Sequence, residues 1–419
     1  MRLWTYALLS LGTAGLLWPA PKAPERHVLI LYGSTMGYLS PCGCTSPMSG
    51  GLKRAATAIK QIESSADSTF VLTGGLVEGI SRQDELKAET YAEYSRTLQA
   101  AGLEFTASEA ALGPGNLLEM DQLSGNKLVS SSVQTRSTPS LQDAIERPPF
   151  LIASVSSHPA TVADPIELKP AETSAVIKSL IKRAEAAHLL LAVLYDGDES
   201  GARSLAKNHP GINALVYRST SDPPSRPLRE GDTLLVTTGL HGKNVIALSY
   251  AEGKLSDYSV VSLGPEVKDD KEASRVYSAY LQRVTSEDLL AQVPRHETPA
   301  YAGPETCQSC HFHAYSVWES SGHAHALKDI DAQEHGRDPD CVSCHVTGLS
   351  SLSGFKSESA TPLLASVTCE SCHGPAAAHA ASPNAVTLPK ASAKTCVSCH
   401  TLDNSPGFDF GTYWDKIKH

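Results

Sequence analysis

The sequence predicts two unlike parts: an α/β part with a largely buried sheet over about residues 27–288, and a small, mostly α or irregular part over 305–419. Three observations carry this expectation. Up to about residue 288, short runs of consecutive apolar residues alternate with helical stretches, the pattern of strands covered on both faces. After residue 300 the long apolar runs vanish, and Ala, Ser, Gly and His dominate. Within that later stretch one pentapeptide recurs four times, as Cys307-Gln-Ser-Cys310-His311, Cys341-Val-Ser-Cys344-His345, Cys369-Glu-Ser-Cys372-His373 and Cys396-Val-Ser-Cys399-His400.

The elements follow in chain order. The N-terminus opens Met1-Arg2-Leu3-Trp4, stays apolar to about Trp18 and runs into Pro19-Ala20-Pro21-Lys22-Ala23. A positive start, an apolar core and a small-residue cleavage zone read as a secretory signal over 1–23. The apolar core is short for a spanning helix; left uncleaved, it would hold the protein peripherally on a membrane. No Cys follows it, which argues against a lipoprotein. His27–Tyr32 reads as a buried strand and Lys53–Ile62 as a helix. Phe70–Thr73 reads as a strand ending at Gly74-Gly75, and Ala88–Ala101 as a helix ending at Gly102. Thr173–Ala187 is a further helix, followed by the strand His188–Tyr195. Asn213–Tyr217, Thr233–Thr237 and Asn244–Tyr250 complete the strands. About 260 residues can bury a core without help. Residues 289–304, with Pro294, Pro299 and Pro304, read as a linker.

The repeated pentapeptide is the attachment signature of c-type haem. Two thiols add to the porphyrin vinyl groups, and the adjacent His reaches the iron. A zinc module is a poor alternative, because four Cys2His triplets lack the fourth ligand that closed zinc sites need. The expected cofactor is four covalent haem c groups, held by Cys307, Cys310, Cys341, Cys344, Cys369, Cys372, Cys396 and Cys399, with His311, His345, His373 and His400 as proximal iron ligands. The haems would also supply the apolar bulk that the last 115 or so residues lack, so this part is not expected to fold without them. A second axial ligand is usual in electron-transfer haems, and the same stretch offers His313, His323, His325, His335, His379 and His419. Trp318, Tyr315, Phe408, Phe410, Tyr413 and Trp414 are expected to pack on the haems.

Eight of the ten cysteines belong to these motifs and the other two are Cys42 and Cys44, so no secreted disulfide framework is indicated. A net charge of −10 argues against a nucleic-acid partner. Residues 305–419 carry seven Lys/Arg against twelve Asp/Glu. A redox partner with a basic docking patch is therefore expected, through weak, salt-sensitive contacts.

Residues 301–419 resemble the tetrahaem cytochrome c-554 family. The resemblance lies in Tyr301-Ala-Gly-Pro-Glu-Thr-Cys307 with Tyr315, Trp318, Ser321 and His323-Ala-His-Ala326, then in Asp340-Cys-Val-Ser-Cys-His-Val-Thr-Gly348. It continues in Val367-Thr-Cys-Glu-Ser-Cys-His-Gly-Pro375 with His379, and in Cys396–His400 with Ser405-Pro406, Phe408-Asp-Phe410, Tyr413-Trp414 and His419. It implies that His323, His379 and His419 are distal ligands, each serving a neighbouring haem. It also implies one five-coordinate haem, for which the His345 site is the candidate; His325, His313 or His335 would close it instead.

Gly50-Gly51-Leu52-Lys53-Arg54 after the first strand, and Val71-Leu-Thr-Gly-Gly75, resemble the 5′-nucleotidase branch of the calcineurin-like metallophosphatases. The resemblance implies a metallophosphatase-like α/β sandwich over about 27–285. The positions that carry metal ligands in that family depart from its pattern. The first strand runs into Tyr32-Gly-Ser-Thr-Met-Gly37 in place of Asp-x-His, and the second ends in Gly74-Gly75 in place of Gly-Asp. Ala107-Ser108 replaces Asn-His, and Tyr217-Arg218-Ser219 replaces His-x-His. A two-metal hydrolase needs carboxylate and imidazole ligands for both ions, so hydrolysis is not expected. The loop after the first strand instead carries Ser40-Pro-Cys42-Gly-Cys44-Thr-Ser-Pro47. Two thiols so spaced are a candidate soft-metal or redox-disulfide site, or simply inert loop cysteines. The leading expectation is an exported tetrahaem electron carrier. The alternatives are a reductase or oxidase acting at an open haem or at Cys42/Cys44, and a bifunctional nucleotidase–cytochrome fusion.

Overall fold

A computed structural model describes residues 26–41, 48–135, 141–158, 162–163, 166–168, 173–219, 221–222 and 224–419. The segment at 1–23 expected to be a signal, Cys42 and Cys44 fall outside these residues.

The strands of the first half are β1 (His27–Tyr32), β2 (Asp67–Leu72), β3 (Gly102–Glu104), β4 (Leu128–Val129), β5 (Val133–Thr135), β6 (Ala144–Arg147), β7 (Phe150–Val155), β8 (Val162–Ala163) and β9 (Ile166–Leu168). They are followed by β10 (Leu190–Tyr195), β11 (Ala214–Tyr217), β12 (Leu228–Glu230), β13 (Thr233–Val236), β14 (Asn244–Ala251) and β15 (Lys254–Ser262). Two six-stranded sheets result, in the orders β15-β14-β1-β2-β3-β4 and β12-β13-β11-β10-β7-β6. A three-stranded sheet β5-β9-β8 accompanies them. Each large sheet has a parallel centre: β1 to β4 in the first, and β7, β10, β11 and β13 in the second. Antiparallel strands sit at one margin of the first sheet, as β14 and β15, and at both margins of the second, as β6 and β12.

The apolar strands read continuously because both faces are covered. Leu29, Leu31, Val71, Ile246 and Leu248 of the first sheet pack on Phe150, Ile152, Ala192, Leu194 and Val216 of the second, forming the layer between the sheets. The alternate residues Val28, Ile30, Tyr32, Phe70 and Leu72 face outward onto helices α1 (Leu52–Ser65), α2 (Arg82–Thr97) and their neighbours α3 (Ala107–Ala110) and α4 (Pro114–Ser124). In the second sheet Leu151, Ala153, Leu191, Val193 and Tyr195 face α5 (Thr173–Ala187) and α6 (Glu199–Asn208). Helix α7 (Lys271–Ser286) returns to the first outer layer, burying Val276, Tyr277, Tyr280 and Val284. This is a helix–sheet–sheet–helix sandwich, as the sequence predicts.

Beyond α7 the elements shorten. They are α8 (Leu289–Gln292), α9 (Pro304–Gln308), α10 (Phe312–Glu319), α11 (Ala326–Asp331), α12 (Pro339–His345), α13 (Cys369–His373), α14 (Ala377–Ala381), α15 (Ala393–Cys396) and α16 (Phe410–Ile417). The buried apolar cluster here comprises only Leu290, Leu327, Val342, Val346, Leu349, Phe355 and Leu364. Polar ties supplement it. The buried Glu370 carboxylate accepts from the Ala302, Gly303 and Ala376 N–H groups at 2.8–2.9 Å, and the Trp318 indole donates to Val367 O at 2.8 Å.

Candidate functional site: paired imidazoles and a rebuilt cleft

The C-x-x-C-H segments lie on or beside single helical turns, which place both thiols and the imidazole on one side. The second motif lies within α12, which has Asp338 as N-cap and Pro339 at its first position. The third motif forms α13, which Thr368 caps. The first spans the end of α9 and the start of α10, and the fourth begins at the end of α15.

Three of the C-x-x-C-H histidines each face a remote histidine. The ring centroids of His311 and His379 are 6.2 Å apart, those of His323 and His400 are 6.2 Å apart, and those of His373 and His419 are 5.9 Å apart. A metal–imidazole bond of about 2 Å on each side, added to ring radii of about 1.1 Å, requires about 6 Å between centroids. The spacing therefore fits one iron between each pair.

The other ring nitrogens are occupied in a way that suits iron. Nδ1 of His345, His373, His379 and His419 lies at 2.7, 2.9, 2.6 and 3.0 Å from the carbonyl oxygens of Ala326, Pro389, Val386 and Ile417. A carbonyl only accepts, so Nδ1 carries the proton and Nε2 presents its lone pair. His400 Nδ1 meets Ser405 Oγ at 3.0 Å, and its ring stacks on Phe408 at 4.9 Å. The structure thus brings His323, His379 and His419 to three different motifs. Of the remaining candidates, His335 packs against Tyr277, and His313 and His325 take part in no such ring pair among the described residues.

The thiols also report which motifs adjoin. Cys307 and Cys369 are hydrogen-bond neighbours, as are Cys344 and Cys399, and Cys372 lies near Cys396. The attachment segments therefore form a row in the order first, third, fourth, second.

The second and fourth segments dock on the sandwich. Gln83 and Tyr280 donate to the two oxygens of buried Asp338 at 2.7 and 3.2 Å, and buried Lys87 pairs with Asp340 at 2.5 Å. Tyr277 meets His335 at 3.2 Å, and His335 Nδ1 lies 3.7 Å from Cys341 Sγ. Asp403 takes His241 and Lys243 at 2.9 and 2.8 Å. Burial pushes Asp338 up to about 6; the like charge of Asp340 adds to this and Lys87 opposes it.

A second site lies at the carboxyl ends of the parallel strands, where open α/β sheets bind ligands. The loops after β1, β2, β3, β7, β10, β11 and β13 surround a cleft of about 420 Å³ lined by Ser34, Gly75, Thr106, His158, Asp196 and Arg218, among others. Ser34 and Met36, both on its wall, adopt left-handed backbone at φ 50° and 52°, conformations that cost energy outside glycine and concentrate at functional sites. The positions expected from sequence to have lost metal ligands, within 34–36, 74–75, 107–108 and 217–219, do converge here. Sequence reasoning missed what replaces those ligands. The Arg218 guanidinium donates to Gly74 O at 2.7 Å and to Thr106 Oγ1 at 3.3 Å. Beneath it lie the fully buried Glu104 and Glu109, and His158 is held by buried Asp196 at 3.1 Å. Among the described residues, the only cluster of three His, Cys, Asp or Glu with metal-ligand spacing is His335, Asp338 and Cys341, outside this cleft.

Comparison with known proteins agrees with both halves. Residues 306–374 match the family described as cytochrome c554 and c-prime. Cytochrome c-554 of Nitrosomonas europaea is 31% identical over 115 residues, which is 24% of this chain and 46% of that protein. The chain thus spans about half the length of the curated relative it matches. The 5′-nucleotidase precursor of Thermus thermophilus superposes with a TM-score of 0.51 at 19% identity, covering 67% of this chain and 63% of that one. The NAD nucleotidase of Haemophilus influenzae gives 0.52 at 10% identity, covering 67% and 64%. At these identities the likeness concerns fold alone. The C-terminal part resembles the cytochrome c-554 family, which implies haem c, and the N-terminal part has the 5′-nucleotidase, calcineurin-like phosphoesterase fold.

Proposed function

We propose that this chain is an exported tetrahaem cytochrome that transfers electrons, and that its phosphoesterase-fold part is a docking partner rather than a hydrolase. The observation that carries this reading is the set of three imidazole pairs at 5.9–6.2 Å, each joining a C-x-x-C-H histidine to a distant one. Haem c, when bound, supplies one-electron iron chemistry. The chain's own residues hold the iron ligands, fix their tautomers through Nδ1 and set the attachment segments in a contiguous row. Burying both axial positions behind strong ligands suits a carrier more than a catalyst. The surplus of twelve acidic over seven basic residues in 305–419 supports docking to a redox partner through that partner's basic patch.

The test is a pyridine haemochrome count with an electron paramagnetic resonance spectrum of the same oxidised sample. Four haems per chain, with at least three low-spin signals, is the expected result. Fewer than three low-spin centres would overturn it, and a high-spin signal beside three low-spin ones would direct the search to small-molecule chemistry at an open iron.

A second reading places a redox-active thiol pair at Cys42/Cys44. It draws support from the chain just before them: Ser40 hydrogen bonds to Tyr277, which contacts His335, and the Tyr38 and His241 rings lie tilted against each other, 4.3 Å between centroids, beside Asp403. If Cys42→Ser and Cys44→Ser left the redox titration unchanged, that reading would be wrong. A nucleotidase–cytochrome fusion with retained hydrolysis requires turnover of nucleotide esters with added divalent metal; the cleft residues argue against it.

A further inference from the structure

The cleft of the sandwich holds a cationic group where the fold would otherwise gather metal ions, and that group is incompletely satisfied. Arg218 follows β11 and reaches across to the loop after β2. It can do so because residue 75 is glycine: Gly75 sits at φ +71°, and a Cβ there would lie 1.4 Å from Arg218 Nη1. A guanidinium offers five N–H groups. Two are used, on Gly74 O and Thr106 Oγ1. Among the described residues Arg218 has no carboxylate within ion-pair distance.

The buried carboxylates below it are committed to the backbone and to hydroxyls. Glu104 accepts from Gly74 N at 2.8 Å and Ser154 Oγ at 3.0 Å. Glu109 accepts from Leu76 N at 2.7 Å and Thr106 N at 3.0 Å. Neither carboxylate makes an ion pair with Arg218 among the described residues, so the guanidinium keeps hydrogen-bonding capacity for a ligand. Across the cleft, Asp196 takes Ser156 Oγ and Ser157 N as well as His158 Nδ1, so the carboxylate is spent and the imidazole is aimed. The His158 side chain lines the cleft and is half exposed. Met36, Val77, Ala107 and Leu240 supply apolar wall, which strengthens a charged hydrogen bond formed between them. Glu78 on the rim is the remaining acidic group, and it is exposed.

We propose that this cleft is a metal-free oxyanion site, in which the Arg218 guanidinium and the His158 imidazole bind the phosphate or carboxylate group of a small molecule. The planar fork of Arg suits both groups, which it can grip through two parallel hydrogen bonds. At about 420 Å³ the cleft admits the anionic group with a short organic substituent, at the small end of ligand sites. The proposal is independent of what the haem part does.

The test is isothermal titration of the haem-loaded full chain with inorganic phosphate, sulfate and acetate, in turn, without divalent metal. Phosphate or acetate binding one to one supports the site, and the relative affinities of the three separate a phosphoryl from a carboxylate preference. Arg218→Met should weaken binding about tenfold or more. Ser219→Asp provides a variant expected to fold, because an Asp side chain can still accept from Ser221 N as Ser219 Oγ does at 3.0 Å; its carboxylate at the cleft wall should repel the anion to a similar extent. Absence of binding by all three anions up to about 20 mM, or equal affinities in the parent and Ser219→Asp, would overturn the proposal. Binding that appears only on adding Mn2+ would show that a metal, not the guanidinium, holds the anion.

Discussion

Two side chains carry most of what can be tested residue by residue. His379 belongs to no attachment motif, yet its ring faces His311 at 6.2 Å and its Nδ1 is fixed by Val386 O. Its replacement should alter one iron and leave every thioether intact. His379→Ala is therefore expected to keep the full haem count while converting one low-spin centre to high-spin, read by electron paramagnetic resonance; an unchanged spectrum would remove His379 from the ligand set. Asp338 is the other. Its carboxyl is raised to about 6, chiefly by burial against α2 and α7. A group whose folded value is raised holds its proton more tightly in the folded state. Stability must then fall as pH rises from the ordinary carboxyl range near 4 to about 6, and level off above. Asp338→Asn keeps the shape and removes the titration. Its melting temperature should decline less than the parent's between pH 4.5 and 7, by an amount equivalent to roughly 1–3 kcal/mol. Parallel profiles would mean that Asp338 is ionised throughout.

Among the elements, α2 links the two parts, because it carries both Gln83 and Lys87 to the second attachment segment. Its start is set by a reciprocal cap: Ser81 Oγ accepts from Asp84 N, and the Asp84 carboxylate accepts from Ser81 N. Ser81→Ala should cost about 1 kcal/mol in urea unfolding, with the docking contacts loosened before the sheets are. The same helix shows where sequence reasoning succeeds and fails. Its existence was legible from the apolar period, but it begins at Arg82 rather than Ala88, because the capping pair at Ser81 and Asp84 outweighs the late onset of apolar residues. β1 and α5 fall at their expected bounds, His27–Tyr32 and Thr173–Ala187, since each is a strong periodic run. β15 escaped notice because it lies at a sheet edge with none of its residues buried, so its sequence is largely polar. In the C-terminal part, the C-x-x-C-H motifs are local and legible at once. The pairing of His323 with His400 and of His373 with His419 depends on chain reversal. Arg218 read as a lost ligand because its role needs Gly75, far away in sequence, to lack a side chain.

At the scale of the whole molecule, the two parts differ in what holds them. The sandwich has three apolar layers built from strands that are buried on alternate faces, and these owe nothing to a cofactor. The C-terminal part has one small cluster of seven buried apolar side chains, one of which, Leu290, comes from the connecting segment. Its helices are too short to be stable alone, since isolated helices below about 12 residues are marginal in water. Four haems would bring large apolar surface into this part and bind only its folded form, so its stability should be linked to their attachment. The ion pairs of Asp340 and Asp403 cannot substitute, because pairs whose carboxylates stay partly exposed contribute little each. Expression without haem attachment should therefore give a chain in which the sandwich melts cooperatively and the remainder is digested. Limited proteolysis with mass spectrometry should yield a resistant fragment ending near residue 290, whereas the haem-loaded chain should resist through residue 419. Equal resistance in both forms would mean that the C-terminal part folds on its small core and its contacts with the sandwich, and that the haems are lodged in a structure already made.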